Sequence, residues 1–185
     1  STINESSFTK MIIESITIPS QITQIDQSSF ALNKNLKNIK IENDSQLKSI
    51  KTNAFYNISI TIPSSVTRIE KSAFLMCSNL EKVEFAKNSQ LKLIDKYAFS
   101  STRIEEIIIP SHVTCIDKYA FYNCNCLKTI KFENKSKLKI IGSFSFSFTS
   151  IEKVIIPSSV LYIESNSFYN CSGFKGELVL KKIHH

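Results

Sequence analysis

One frame recurs eight times along the chain and limits its fold more than any other feature: isoleucine, three residues, a small alanine or serine, then phenylalanine. It reads Ile3–Ser7–Phe8, Ile25–Ser29–Phe30, Ile50–Ala54–Phe55 and Ile69–Ala73–Phe74, then Ile94–Ala98–Phe99, Ile116–Ala120–Phe121, Ile141–Ser145–Phe146 and Ile163–Ser167–Phe168. Successive phenylalanines are 22, 25, 19, 25, 22, 25 and 22 residues apart. Self-similarity at such a period marks a stack of equivalent units. The repeating unit is a pair of turns, because Pro63, Pro110 and Pro157 are 47 residues apart and Pro19 lies 44 before Pro63. Odd turns carry Ile-Pro-Ser, as at Ile109-Pro110-Ser111; even turns carry a polar insert before leucine, as at Asn134-Lys135-Ser136-Lys137-Leu138.

Each turn has two further apolar stations. One is a short alternating run, such as Leu36, Ile39 and Ile41, or Ile104, Ile107 and Ile109. Alternation over four to six β-branched residues predicts a strand with one buried face. Proline after the odd runs ends the ladder there, since it has no N–H to donate. The other station is a pair three apart before the frame, such as Val66 and Ile69 or Leu138 and Ile141. No turn can bury these side chains alone. Stacked turns can, so the predicted fold is a β-rich solenoid of eight turns of about 22–25 residues, with a parallel sheet on one face and short or irregular strands on the other.

Strand side chains alternate, so residues between the buried stations face away from the core. They form one row of Thr17, Lys40, Thr61, Glu84, Ile108, Lys131 and Ile155, and a flanking row that includes Lys82, Glu106 and Lys153. Any binding is expected on this face. Ile108 and Ile155, one 47-residue unit apart, put aliphatic groups into a charged stripe, and exposed apolar patches can mark a contact.

A net charge of +7 suits an acidic partner surface, but a lysine-rich solvated surface is the simpler account of it and the one favoured. Only two of the 23 basic residues are arginine, and the lysines are spread over all turns rather than interleaved with aromatics, so nucleic acid is not an expected partner. No apolar run approaches 18 residues, and membrane contact by this segment is not expected.

The pattern from Ile104 to Cys124, with Ile-Pro-Ser, the apolar pair and Ala-Phe before Cys, resembles the BspA-like leucine-rich repeats, a treponemal-type family, over essentially the whole chain. The resemblance implies a leucine-rich-repeat solenoid with a concave strand face, a location at the cell surface or outside the cell, and adhesion to host-cell or extracellular-matrix protein. The bias toward Asn, Lys, Ile and Ser looks more like members from mucosal protozoan parasites. A structural spacer or self-associating repeat is the alternative, with the uncapped ends available for association. The family's usual glycine after the frame isoleucine is present only at Gly142; Asp26, Lys51, Glu70, Asp95, Asp117 and Glu164 stand there in the other turns, so a different turn geometry is expected. Residues 1–185 read as one solenoid domain cut from a longer surface protein, and 181–185 as a tag remnant.

Chemistry-bearing residues are few. Cys77, Cys124 and Cys171 share one station of the odd turns and are expected as buried free thiols, with Cys115 and Cys126 more exposed. Cys124-Asn125-Cys126 is not a zinc spacing, and no metal or cofactor is expected. His112 has no nucleophile and orienting group to complete a catalytic set, so no enzyme activity is expected. Tyr56, Tyr122 and Tyr169 follow frame phenylalanines and are placed on the outer side, while Phe85 and Phe132 are expected in the core. Asn4, Asn43, Asn57 and Asn134 are candidate glycan acceptors; Asn170, beside Cys171, is expected to be partly buried.

Overall fold

The computed structural model describes residues 1–33, 35–42, 44–51, 54–55, 59–78 and 80–174, and the backbone of 178–180. The first half runs β1 (Thr2–Ile3), β2 (Ser15–Ile18), β3 (Gln24–Ile25), β4 (Asn38–Ile41), β5 (Ser49–Ile50), β6 (Ser59–Ile62), β7 (Arg68–Ile69) and β8 (Val83–Phe85). The second runs β9 (Leu93–Ile94), β10 (Glu106–Ile109), β11 (Cys115–Ile116), β12 (Thr129–Phe132), β13 (Ile140–Ile141), β14 (Val154–Ile156), β15 (Tyr162–Ile163) and β16 (Leu178–Leu180). The odd-numbered strands make one eight-stranded parallel sheet in chain order. The even-numbered strands make a second parallel ribbon in three pieces, β2-β4-β6-β8, β10-β12 and β14-β16, connected by single bridges at Lys82–Glu106 and Thr129–Lys153. The expected leucine-rich-repeat solenoid is therefore the observed architecture.

Between the two sheets lies the core, and its spine is a column of rings. Phe8, Phe30, Phe55, Phe74, Phe99, Phe121, Phe146 and Phe168 stack in sequence with centroids 5.0–5.7 Å apart and planes within 17°. The frame isoleucines from Ile25 to Ile141 are fully buried beside it. The small residue before each ring lets the turns approach: Phe30 N–H donates to Ala54 O (2.9 Å), Phe74 N–H to Ala98 O (2.8 Å) and Phe99 N–H to Ala120 O (2.8 Å).

The backbone around each ring follows a rule that the glycine count hides. Around every frame phenylalanine except Phe55, the residues two before and two after have positive φ, from Ser6 and Lys10 in the first turn to Asn166 and Asn170 in the last. These left-handed residues aim their N–H groups at the next turn, as in Met76 N–H to Ser100 O (2.9 Å) and Asn123 N–H to Ser147 O (2.9 Å). Serine and asparagine tolerate that conformation; Tyr97, Tyr119 and Phe144 do not readily, at roughly 1–2 kcal/mol each. They recover stabilisation by stacking on one another with centroids 4.8 and 5.2 Å apart. Left-handed geometry thus sits away from the family's glycine station. There, the acidic residues accept N–H groups instead: Asp95 from Lys96 (2.7 Å), Asp117 from Lys118 (2.6 Å), and Glu164 from the Ser143 N–H (3.0 Å) and hydroxyl (2.8 Å). The Ser143 bonds hold the Glu164 carboxyl below its ordinary range.

Three residues after the ring, threonine satisfies the carbonyl of its own ring and the odd-turn cysteine that of the ring in the preceding turn. Thr102 Oγ1 donates to Phe99 O (2.9 Å), Cys124 Sγ to the same oxygen (3.0 Å), Thr149 Oγ1 to Phe146 O (2.8 Å) and Cys77 Sγ to Phe55 O (2.9 Å). The odd-turn cysteines are therefore hydrogen-bonding core residues. All five cysteines are free. Cys77 and Cys124 are buried as expected, but Cys171 is half-buried, like Cys115 and Cys126. Burial pushes the Cys77 thiol well up and the Cys115 and Cys124 thiols to about 11. Thiol-reactive probes act on the thiolate. Maleimide labelling of the native protein at pH 7 is expected to leave Cys77 and Cys124 unmodified, both reacting only after unfolding; rapid native labelling of either would contradict this core.

Candidate protein-binding face

The outer side of the long-strand ribbon carries every residue expected there: Thr17, Lys40, Thr61, Lys82, Glu84, Glu106, Ile108, Lys131, Lys153 and Ile155 are all exposed. Their parallel register places them side by side in rows, Thr17 against Lys40, Thr61 against Glu84, and Ile108 against Lys131. Ile108 and Ile155 keep about half their surface, 49% and 51%.

The 47-residue unit reappears in how these strands pair. From an odd turn to the next even turn the ladder is long, with four residue pairs in β2–β4, three in β6–β8 and four in β10–β12. From an even turn to the next odd turn it shortens to two pairs in β4–β6 and to single bridges at β8–β10 and β12–β14. Proline is the cause. After the long strand of an even turn, Glu42, Ala86 and Glu133 donate N–H to Ile18, Ile62 and Ile109 of the preceding odd turn (3.1, 2.9 and 3.0 Å). The equivalent donors to Ile41, Phe85 and Phe132 would be Pro63, Pro110 and Pro157, which have no N–H. An open groove lies at each of these junctions: one by Lys40, Thr61 and Pro63, one by Glu84, Phe85 and Ile108, and one by Lys131, Phe132, Ile155 and Pro157. The last two measure about 680 and 580 Å³. The same opening corrects the placement of Phe85 and Phe132, which are half-buried groove walls packed against the core rather than members of it.

Charge is sorted along this face. Glu81, Glu84, Glu105, Glu106 and Glu133 line the middle groove with Lys82. The last groove has Lys128, Lys131, Lys135 and Lys153 with Glu133 and Glu152. Lys82 pairs with Glu84 and Lys131 with Glu106, both at 2.6 Å. The Lys82 hydrogen bond lowers the Glu84 carboxyl and raises the Lys82 ammonium from their ordinary values, so that pair stays charged at neutral pH and is lost as acid protonates Glu84 or strong base deprotonates Lys82. Glu133 is partly committed too, accepting the Ser111 N–H at 2.8 Å, as Glu42 accepts that of Ser20 at 2.9 Å. Lys40 and Lys153 have no ion pair among the described residues. The sequence pattern missed Glu81, Glu105 and Lys128, which precede the strands and escape the alternation rule.

The family model for the BspA type leucine-rich repeat region matches residues 1–62 and 58–175, in six copies. The chain belongs to this family. Among solved structures, this BspA-type chain is similar to the pneumococcal vaccine antigen PcpA, at 30% identity over 72% of this chain and 37% of that one, with a TM-score of 0.65. It is also similar to a leucine-rich repeat protein from Bacteroides ovatus, at 25% identity over 87% and 62% with a TM-score of 0.57. A leucine-rich repeat protein from Eubacterium ventriosum shares the fold at 22% identity over 89% and 44%, with a TM-score of 0.70. The chain thus spans between about a third and two thirds of the length of these structures. No curated protein sequence matches it.

Other candidate residues of the BspA-type chain fall as follows. Asn4 and Asn134 are exposed, Asn43 and Asn57 lie outside the described residues, and Asn170 is exposed rather than partly buried. Tyr122 is half-buried, edge-on to Tyr119 and Phe148 (both 5.4 Å), and Tyr169 is exposed. Tyr56 and residues 181–185 lie outside the described residues. Among the described residues, no group of three His, Cys, Asp or Glu could hold a metal ion, and no helix is long and apolar enough to cross a membrane.

Proposed function

We propose that this chain is a protein-binding module of a surface protein, recognising a host-cell or extracellular-matrix protein through the outer face of its long-strand ribbon. The observation that carries the reading is the pair Ile108 and Ile155, exposed aliphatic groups beside proline-opened grooves and ringed by charge. Apolar anchors within a polar rim are the usual energetic centre of a protein interface. Solenoid repeats offer such extended faces. Membership of the BspA-type family and similarity to a pneumococcal vaccine antigen support an outward-facing, surface location.

The test is the double variant Ile108→Glu with Ile155→Glu. Both side chains already face water, so the fold should survive with an unchanged far-ultraviolet spectrum and a melting temperature near that of the parent. Retention on host-cell monolayers and on immobilised matrix extract is expected to fall by about tenfold or more, corresponding to loss of two anchors of about 1 kcal/mol each. Undiminished retention by the folded double variant would sink the proposal and favour a spacer without a ligand of its own.

A further inference from the structure

We infer that the partner of this face is a single polypeptide segment lying along the solenoid axis, with a basic side chain in the middle groove and an acidic side chain in the last. This rests on the reading of that face as the binding surface, and goes beyond it by fixing the partner's charge order and spacing.

The charges left unpaired carry the inference. In the middle groove Glu84 and Glu106 each have a lysine, whereas Glu81 and Glu105, on adjacent turns, have no ion pair among the described residues. Like charges on neighbouring strands repel, and a cation between them removes that cost. In the last groove Lys131 is taken by Glu106, whereas Lys128 and Lys153 have no ion pair among the described residues. Glu152 and Glu133 share that groove, but Glu133 is drawn to the Ser111 N–H. Each groove is also lined by one exposed isoleucine, Ile108 in the middle groove and Ile155 in the last.

The two grooves are two turns apart. Neighbouring strands are ~4.8 Å apart, so their centres are separated by about 10 Å, the length of roughly three residues of extended chain. Only a polypeptide brings both charge signs and apolar groups at that spacing. A sulfated glycan or a nucleic acid brings one sign, and the carboxylates of the middle groove repel it. The net charge of +7 therefore misdirects, because the excess of lysine is not concentrated on this face.

Fluorescence anisotropy on the intact chain tests this with a labelled Leu-Lys-Pro-Pro-Glu-Leu peptide, whose polyproline backbone holds its charges about 9 Å apart. A peptide of the same composition with lysine and glutamate adjacent is the control, and heparin is the polyanion competitor. The spaced peptide is expected to bind about tenfold more tightly than the control, and the pairs Glu81→Gln with Glu105→Gln and Lys128→Gln with Lys153→Gln should each weaken it severalfold. Heparin should not displace it. Equal binding of the two peptides, or displacement by heparin, would overturn the inference. If these fail while Ile108→Glu with Ile155→Glu still abolishes adhesion, the binding face stands and only the charge-ordered partner falls; if neither has an effect, both fall.

Discussion

Replacing Phe99 by alanine is expected to lower the unfolding free energy by about 3–5 kcal/mol, the range for emptying a buried aromatic site. Phe99 is fully buried and stacked on both faces, 5.0 Å from Phe74 and 5.2 Å from Phe121. Its loss removes two ring contacts worth about 0.5–1.5 kcal/mol each and leaves a cavity that backbone stacked on either side cannot close. It also interrupts the column that couples one turn to the next, and in a solenoid nearest-neighbour coupling carries cooperativity. Urea unfolding followed by far-ultraviolet circular dichroism should therefore show both a lower midpoint and a shallower transition. Phe8→Ala provides the internal comparison: it stacks only on Phe30 and is half-buried, so its cost should be less than half as large. A cost below about 1 kcal/mol at Phe99 would mean the column is not the spine of the fold.

Gly142→Ala is expected to cost about 1–3 kcal/mol although it adds one methyl group. A Cβ there would lie 2.7 Å from the carbonyl carbon of Asp117 and from the Lys118 nitrogen, and 3.0 Å from Ile116 O. These are backbone atoms of the turn beneath, so nothing rotates away and the turns must separate. Strand β13 pairs with β11 through Ile141 and Ile116, next to the clash. Hydrogen exchange at Gly142, whose N–H donates to Ile116 O at 2.8 Å, should accelerate, with little change in the first four turns. Asp117→Ala at the same station of the preceding turn should lose only the Lys118 cap, a few tenths to about 1 kcal/mol. Equal costs at the two positions would show that close approach is not what Gly142 provides.

The comparison of these two residues shows where sequence reasoning stopped. Glycine after an isoleucine invites a left-handed turn, and its replacement by Asp26, Glu70, Asp95 or Asp117 elsewhere suggests altered geometry. Among the described residues, most of the left-handed ones lie instead two positions either side of a ring, some of them as bulky as Tyr97 and Phe144, and the others, Asp44, Asn88 and Lys135, lie in the polar inserts. Nothing local marks them, because that conformation is held by N–H groups bonded to the next turn. The outward rows were legible for the opposite reason. Whether Ile107 or Ile108 faces water depends only on the period of two within one strand, and Ile107 is buried and Ile108 exposed accordingly.

The sequence by itself determined the unit, the long strands, the burial of the frame phenylalanines and the ten outward residues, because each follows from a spacing within one turn repeated eight times. It also contained the proline that ends the long strand of every odd turn, and the chemistry of that ending. Only the tertiary structure decided what the missing N–H does: it opens alternate junctions and turns Phe85 and Phe132 into groove walls, where Glu81 and Glu105, and Lys128 and Lys153, have no ion pair among the described residues. Those outcomes belong to pairs of residues 22 to 25 apart in the chain, and their meeting depends on how steps of unequal length register when stacked. Burial is a property of one turn, whereas pairing is a property of two.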